Sequence, residues 1–295
     1  MPFVTPTTKE VTEWQGFHLF HYGMSYCSQR VRIFLNERDI PWTSHIVDIP
    51  KEENLTEWYQ GINPNAVVPT LVHDGQVLIE SSDILKYLKQ LSDTRPQAAE
   101  DLETENAVIA LSDARQTDFK ILSFQYLFKP MAKKNAEQLE TLNKKLKNRE
   151  LYQFHKSFSS AEGLPVSTIR AAVWQMQQAL TRLENILSKQ PWLSGGDFGI
   201  ADTTWAVNIH RLELLCFPMA KFPHLRRWFK QISQRPSYQQ GLLAYEPAPA
   251  LKVLKFAAFF RANIGKNSIR SILAMDTNPT DFPQTATAAR KENRL

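Results

Sequence analysis

Between residues 16 and 92 the spacing of apolar side chains keeps changing. "GFHLFHY" (16–22) packs aromatic and apolar residues into a run of strand length. From Ser28 onward, Val31, Phe34 and Leu35 fall at helical intervals. "WTSHIVDI" predicts a second strand, and "EENLTEWYQGI" a short helix ended by "NPNAVVP". "TLVHDGQVLI" predicts a hairpin, two apolar strands around the turn pair Asp74-Gly75. "SSDILKYLKQL" opens on serine caps and puts Ile84, Leu85, Leu88 and Leu91 on one face. The predicted order is β-α-β-α-β-β-α. Residues 1 to 15 have no such period and are expected to form a flexible arm.

"SDTRPQAAE" (92–100) has the composition of a linker, and beyond it the strand signals vanish. Helices are predicted over 100–128, 166–189, 199–216, 222–235 and 237–245. In the second of these, Val173, Met176, Leu180, Leu183 and Leu187 step by three and four, as a core stripe does. Residues 129–165, lysine-rich and partly helical, are expected to be an insertion between long helices. The expected organisation is an arm (1–15), a small α/β domain (16–92), an all-helical domain (100–246) and a C-terminal extension (247–295). In the extension, "APALKVLKFAAFFRANIG" places Val253, Phe256, Ala257, Phe260 and Ile264 on one stripe. That stripe suits packing on the helical domain, a lid over an active site, or a seat on a membrane surface by residues 250–264. After Ala274 the chain is polar and expected to be frayed.

The bulk numbers bound these readings. With 295 residues and 43% hydrophobic composition, a sizeable core can form. No apolar run is long enough to span a bilayer, and the first residues lack a secretory layout. Two cysteines, Cys27 and Cys216, are too few for a disulfide framework, so a reducing, cytoplasmic setting is expected. The net charge of +5 includes a run from 247 to 275 with Lys252, Lys255, Arg261, Lys266 and Arg270 and no acid. A solvated face accounts for such a run; no nucleic-acid partner is expected.

Ser25, Tyr26, Cys27 and Ser28 put a hydroxyl, a phenol, a thiol and a second hydroxyl in consecutive positions, followed by Arg30 and Arg32. By themselves they read as the polar start of a helix near Ser28. Three stretches alter that reading: "SYCSQRVRIFL", "NPNAVVPTLVHDGQVLIESSDILKYL" and "WLSGGDFGIADTTWA". In this order the chain resembles the glutathione transferase superfamily over roughly residues 16–240, most closely its Ser-type members. The resemblance implies a thioredoxin-like α/β domain followed by an all-α helical domain, glutathione as co-substrate, and a homodimer.

It also implies site residues. Ser25 is the expected catalytic hydroxyl, donating to the glutathione sulfur at the positive end of a helix, where a thiol loses its proton more easily. Arg30 and Arg32 add positive potential, one of them serving packing or a carboxylate partner. Pro69 matches the family's cis-proline, so that Val68 offers its backbone N–H and C=O to an extended peptide. Glu80 would meet the ligand's ammonium and Ser81 its carboxylate. Lys51 ranks first for the glycine carboxylate, with Asn54 and His45 as substitutes. Cys27 is expected to be a packed, inert thiol pointing away. Gly199 stands where relatives have a hydroxyl cap, which weakens the reciprocal cap with Asp202.

The implied activity is attack of the thiolate on a hydrophobic or aromatic electrophile, with Phe119, Phe124 and Tyr126 as candidate lining. Conjugation, β-etherase-like cleavage of an aryl ether, and maleyl-type isomerisation all fit, in detoxification or aromatic catabolism. Two other classes stay open: a thiol oxidoreductase working through Cys27, and a non-catalytic scaffold.

Overall fold

A computed structural model describes residues 3–93 and 97–275. Within it, β1 (Phe3–Val4), β2 (Phe17–His21), β3 (Trp42–Ile46), β4 (Thr70–His73) and β5 (Gln76–Ile79) form one sheet in the order β1-β5-β4-β2-β3. β2 and β3 run parallel; β4 is antiparallel to β2 and to β5. Asp74 and Gly75 both take positive φ, 47° and 75°, the conformation a two-residue hairpin turn of matching twist requires. Helices α1 (Tyr26–Glu37), α2 (Glu57–Ile62) and α3 (Ser81–Ser92) complete the predicted order.

The first residues are not a free arm. Phe3 and Val4 pair with Leu78 and Val77, a 3-10 turn covers Lys9–Glu13, and Val11 is fully buried among Phe20, Val47, Tyr59, Ile62, Val72 and Val77. The apolar residues of this segment are too widely spaced to show a period. Their place is set by the sheet edge and by the apolar face opposite α1.

The helical domain holds α4 (Ala99–Ala114), α5 (Gln116–Leu122), α6 (Lys129–Ala132), α7 (Ala136–Lys145), α8 (Arg149–Ser159), α9 (Val166–Leu187), α10 (Ile200–Leu214), α11 (Pro223–Ser233) and α12 (Pro236–Gly241). The helix expected over 100–128 breaks at Arg115 and ends in a π-helical turn, Ser123–Phe128. The stripe of α9 is buried throughout, so one core runs from the sheet through α1 into the helices. The centre of the expected linker (94–96) and the chain after Met275 lie outside the described residues.

Packing adds to two expectations. The insertion reaches the other domain: Leu142 and Leu146 bury against Leu55 and Ala66 of the α/β domain, and Gln60 donates to the Lys145 carbonyl at 3.1 Å. The weakened cap at Gly199 is repaired from outside its own segment. Glu105 accepts the Ile200 N–H at 3.2 Å and the Ser194 hydroxyl accepts that of Ala201. Any Cβ at 199 would collide with those two oxygens, which accounts for glycine where a hydroxyl residue was expected. Asp202 accepts from the backbone of Leu193, Ser194 and Gly199 and from Trp228 Nε1, fixing the start of α10.

The extension forms α13 (Ala248–Asn263) and α14 (Ile269–Leu273). α13 packs with Leu251, Ala258 and Ala262, not with the stripe singled out in the sequence. Val253, Phe256, Phe260 and Ile264 face outward, and no described residue of the extension lines the cleft described next. The stripe is therefore neither the packing face nor a lid.

Candidate functional site

β2 ends at His21, and the chain passes through Tyr22, Gly23 and Met24 before α1 begins at Tyr26, two residues earlier than predicted. Gly23 sits where a Cβ would come within 2.6 Å of the Tyr245 carbonyl oxygen, so only glycine lets the turn tuck under the helical domain. Two buried arginines hold this turn. Arg32 donates to the carbonyls of Tyr22 (3.2 Å), Gly23 (3.1 Å) and Gly241 (2.7 Å), and Arg211 to that of Met24 (2.7 Å). Arg32 is thus the structural member of the arginine pair.

Ser25 is the N-cap of α1, its Oγ accepting the Ser28 N–H at 3.3 Å. Capping uses a lone pair and leaves the hydroxyl proton free to be donated, so cap and reagent are compatible roles. The N–H groups of the first helical turn lack carbonyl partners within the helix and make its start electropositive.

That start opens onto a cleft of about 330 Å3 between the two domains. One wall holds Ser25, Tyr26, Cys27, Asn65, Val67, Val68, Pro69, Glu80 and Ser81. The Val68–Pro69 bond is cis. Tyr59 and Asn63 bond the Val67 carbonyl at 2.7 and 2.9 Å, and through it fix the loop. Glu80 caps α3 with φ 67° and ψ 109°, a conformation costly for a residue with a side chain and common at functional positions. Among the described residues, the Val68 N–H and C=O, the Glu80 carboxylate and the Ser81 hydroxyl have no hydrogen-bond partner.

The structure therefore brings Ser25, Val68, Pro69, Glu80 and Ser81 together, and leaves Lys51 outside. Its side chain is 76% exposed and pairs with Asp48 at 3.0 Å. The substitutes are also engaged elsewhere. Asn54 donates to the Ala66 carbonyl, and His45 stacks on Trp14 and Phe20 and meets His18 at 3.0 Å. Asn65, which sequence reasoning passed over, lines the cleft beside Val67.

Cys27 also departs from expectation. Because α1 starts early, Cys27 falls in its first turn and lines the cleft. Its sulfur lies 3.4 Å from Arg30 Nη2 and 3.6 Å from Gln116 Nε2. Arg30 is otherwise tied to Ser82 (3.2 Å) and to Asp113 (3.8 Å), bracing one domain against the other. Burial pushes the Tyr26 phenol well above its usual range, opposed by Arg30 and Arg211, so this neighbour stays a neutral hydroxyl.

The opposite wall was not foreseen. It consists of Asp113, Gln116, Thr117 and Lys120 from the helical domain and Asn148, Glu150 and Leu151 from the insertion. Phe119 and Tyr126 are buried in the core instead. Phe124 packs edge-on against Phe154 and Phe158 of α8. The aromatic residues thus support the insertion, and polar side chains face the cleft.

Similarity to known proteins follows the same division. Residues 19–96 match the model of the glutathione S-transferase N-terminal domain, and residues 168–231 that of the C-terminal domain. The tetrachloro-p-hydroquinone reductive dehalogenase of Sphingobium chlorophenolicum is 26% identical over 75% of this chain and 93% of its own. The crystal structure of the β-etherase LigF from Sphingobium sp. strain SYK-6 superposes with a TM-score of 0.68 at 22% identity, covering 77% of this chain and 98% of that one. A theta class glutathione S-transferase from Xanthomonas axonopodis pv. citri, crystallised with glutathione bound, gives a TM-score of 0.61 at 24% identity, over 78% and 98%. The insertion and the extension lie outside both matched segments.

Proposed function

For a chain that belongs to the glutathione S-transferase superfamily, we propose that the cleft binds glutathione, ionises its thiol at the start of α1, and directs the thiolate at an aromatic electrophile carrying polar groups. The observation that carries this reading is the set of groups left without partners along one wall. The N–H and C=O of Val68 suit the backbone of an extended peptide, as an added strand would be held. The Glu80 carboxylate suits an ammonium, and the Ser81 hydroxyl with the start of α3 suits a carboxylate. Glutathione has all three, and Asn65 takes the place of Lys51 at its glycine end.

The chemistry follows from Ser25. Its O–H donates to the sulfur and favours thiolate over thiol, the proton leaving to solvent. The thiolate attacks the electrophilic carbon, a carbon–sulfur bond forms, and the leaving group departs with the bonding electrons. The polar opposite wall supports an aromatic substrate with hydroxyl or similar substituents over a bulky purely apolar one. The similar tetrachloro-p-hydroquinone dehalogenase acts on a compound of that class. A homodimer is part of the proposal, and sedimentation analysis tests it.

A second reading has its own observation: Cys27 lies in the cleft with a guanidinium beside its sulfur. There it would attack a mixed disulfide of glutathione with another thiol, release that thiol as thiolate and hold the glutathionyl group as its own mixed disulfide. A glutathione thiolate would then remove that group as glutathione disulfide and free the Cys27 thiolate. Turnover with aryl ethers, aryl halides and maleyl-type acids, each with thiol–disulfide exchange in parallel, separates the two. Ser25→Ala is expected to lower kcat/KM for transfer by about 100-fold, the scale for losing a donor to an oxyanion, and Cys27→Ala to leave transfer intact. If no substrate gives a glutathione-dependent product, the transferase reading fails. If only Cys27→Ala abolishes turnover, the oxidoreductase reading replaces it.

A further inference from the structure

The outer face of α13 has no role in the cleft. The helix is apolar on its outer as well as its inner side, which a helix half-exposed on a protein surface has no reason to be. Its inner side is fixed: Leu251, Ala258 and Ala262 are buried, and Arg261 donates to the carbonyls of Tyr126 (2.8 Å) and Leu127 (3.3 Å). Its outer side exposes Val253 (69%), Phe256 (68%), Phe259 (51%) and Phe260 (44%), with Ile264 (65%) just past its end. The aromatic rings touch one another, Phe256 and Phe260 at 5.0 Å and Phe259 and Phe260 at 5.7 Å between centroids. At roughly 100° per residue, Val253, Phe256 and Phe260 lie within an arc of about 60°, with Phe259 and Lys252 together at its edge.

Charge decides what this face meets. Lys252, Lys255, Lys266 and Arg270 are exposed, and residues 247–275 contain no acid at all. The adjoining carboxylate, Glu246, is buried against His210 and Gln29. A second copy meeting this face about a two-fold axis would set cations against cations. A bilayer with anionic headgroups supplies both needs at once, an apolar boundary for the rings and phosphates for the lysines. α13, with 16 residues, is too short to cross a membrane, and no helix among the described residues is both long and apolar enough to do so, so α13 would lie in the surface. We propose that the outer face of α13 docks the protein on anionic lipid surfaces, with Val253, Phe256 and Phe260 inserted, Lys252 at the headgroups beside them and Lys255 adding positive potential from the flank. None of these residues lines the cleft, so docking leaves the cleft lining uncovered by its own contacts.

Co-sedimentation of the full chain with vesicles tests this, using phosphatidylcholine alone and phosphatidylcholine mixed with phosphatidylglycerol. Binding to the mixed vesicles is expected to be about 10-fold or more tighter and to weaken with salt. F256E/F260E should abolish it while thermal midpoint and transferase activity stay unchanged, and K252E/K255E should remove the preference for anionic lipid. Absence of binding to anionic vesicles, or binding that survives F256E/F260E, overturns the proposal. A concentration-dependent dimer dissociated by F256E/F260E, without lipid binding, assigns the face to a second copy. Lipid binding only after truncation at Met275 assigns it to the chain's own tail. Either result also overturns the proposal.

Discussion

The two walls of the cleft are built on different principles. The α/β wall is made of element ends: a helix cap at Ser25, a backbone segment at Val68, and a cap with strained backbone at Glu80 followed by Ser81. Its groups are fixed by the sheet and by local capping, and nearly all are backbone atoms or short side chains. The helical wall is made of longer side chains on α5 and of the first residues of α8, carried there by an insertion that reaches across to Leu55 and Ala66. A wall of backbone and caps suits a ligand that never changes. A wall of side chains on an insertion can be changed without disturbing the fold. Under the proposed function, the comparison teaches that co-substrate and electrophile are held by differently built walls.

If that division is right, substitutions on the two walls should move different constants. The largest effect is expected on the α/β wall. Glu80→Gln with Ser81→Ala should raise KM for glutathione by about 100-fold, since each removes a charge-assisted contact of about 1.5 kcal/mol. KM for the electrophile should change little, and steady-state kinetics with either substrate varied would reveal a breach. A smaller effect is expected opposite. Lys120→Met should shift KM for the electrophile by about 10-fold, in a direction that depends on its polar groups, while KM for glutathione holds. Equal shifts in both constants would mean the walls act as one site.

The smallest effect is on stability and its pH dependence. Each wall has a histidine behind it, His21 fully buried and His155 partly so. His21, under the Ser25 turn, is lowered to about 3 by burial, with Arg32 and His45 adding. His155, on α8, is lowered to about 4 by burial, with Lys134 and Lys120 adding. Both stay neutral in the folded chain while the unfolded chain takes up protons below pH 6.5, so stability falls as pH drops from 7 to 5. Asp118, pushed up to about 7 by burial against the pull of Arg115, works in the opposite direction: the folded state holds its proton where the unfolded state has lost it. Removing that opposition with Asp118→Asn should steepen the fall by about 1.4 kcal/mol per pH unit, the value of one proton. Thermal or denaturant unfolding across this window measures it; an unchanged slope would mean Asp118 is ionised in the folded protein.

The sequence by itself determined the order of elements from 16 to 92 and the α9 core stripe, which depend on local chemistry: a period, a turn pair, a serine before a helix. The residues of the α/β wall were legible only through the resemblance to a family. The sequence did not determine the strand at Phe3–Val4, the lining of Asn65, the engagement of Lys51 by Asp48, or the exposure of Cys27. A two-residue difference in where α1 starts, about half a turn, was enough to turn that thiol into the cleft. Only the tertiary structure decided the helical wall and the face of α13. An amphipathic period says which residues share a side of a helix, but on α13 both sides are apolar. The choice fell to the face with small residues, Ala258 and Ala262, because these allow close approach to the helical domain and leave the phenylalanines outside.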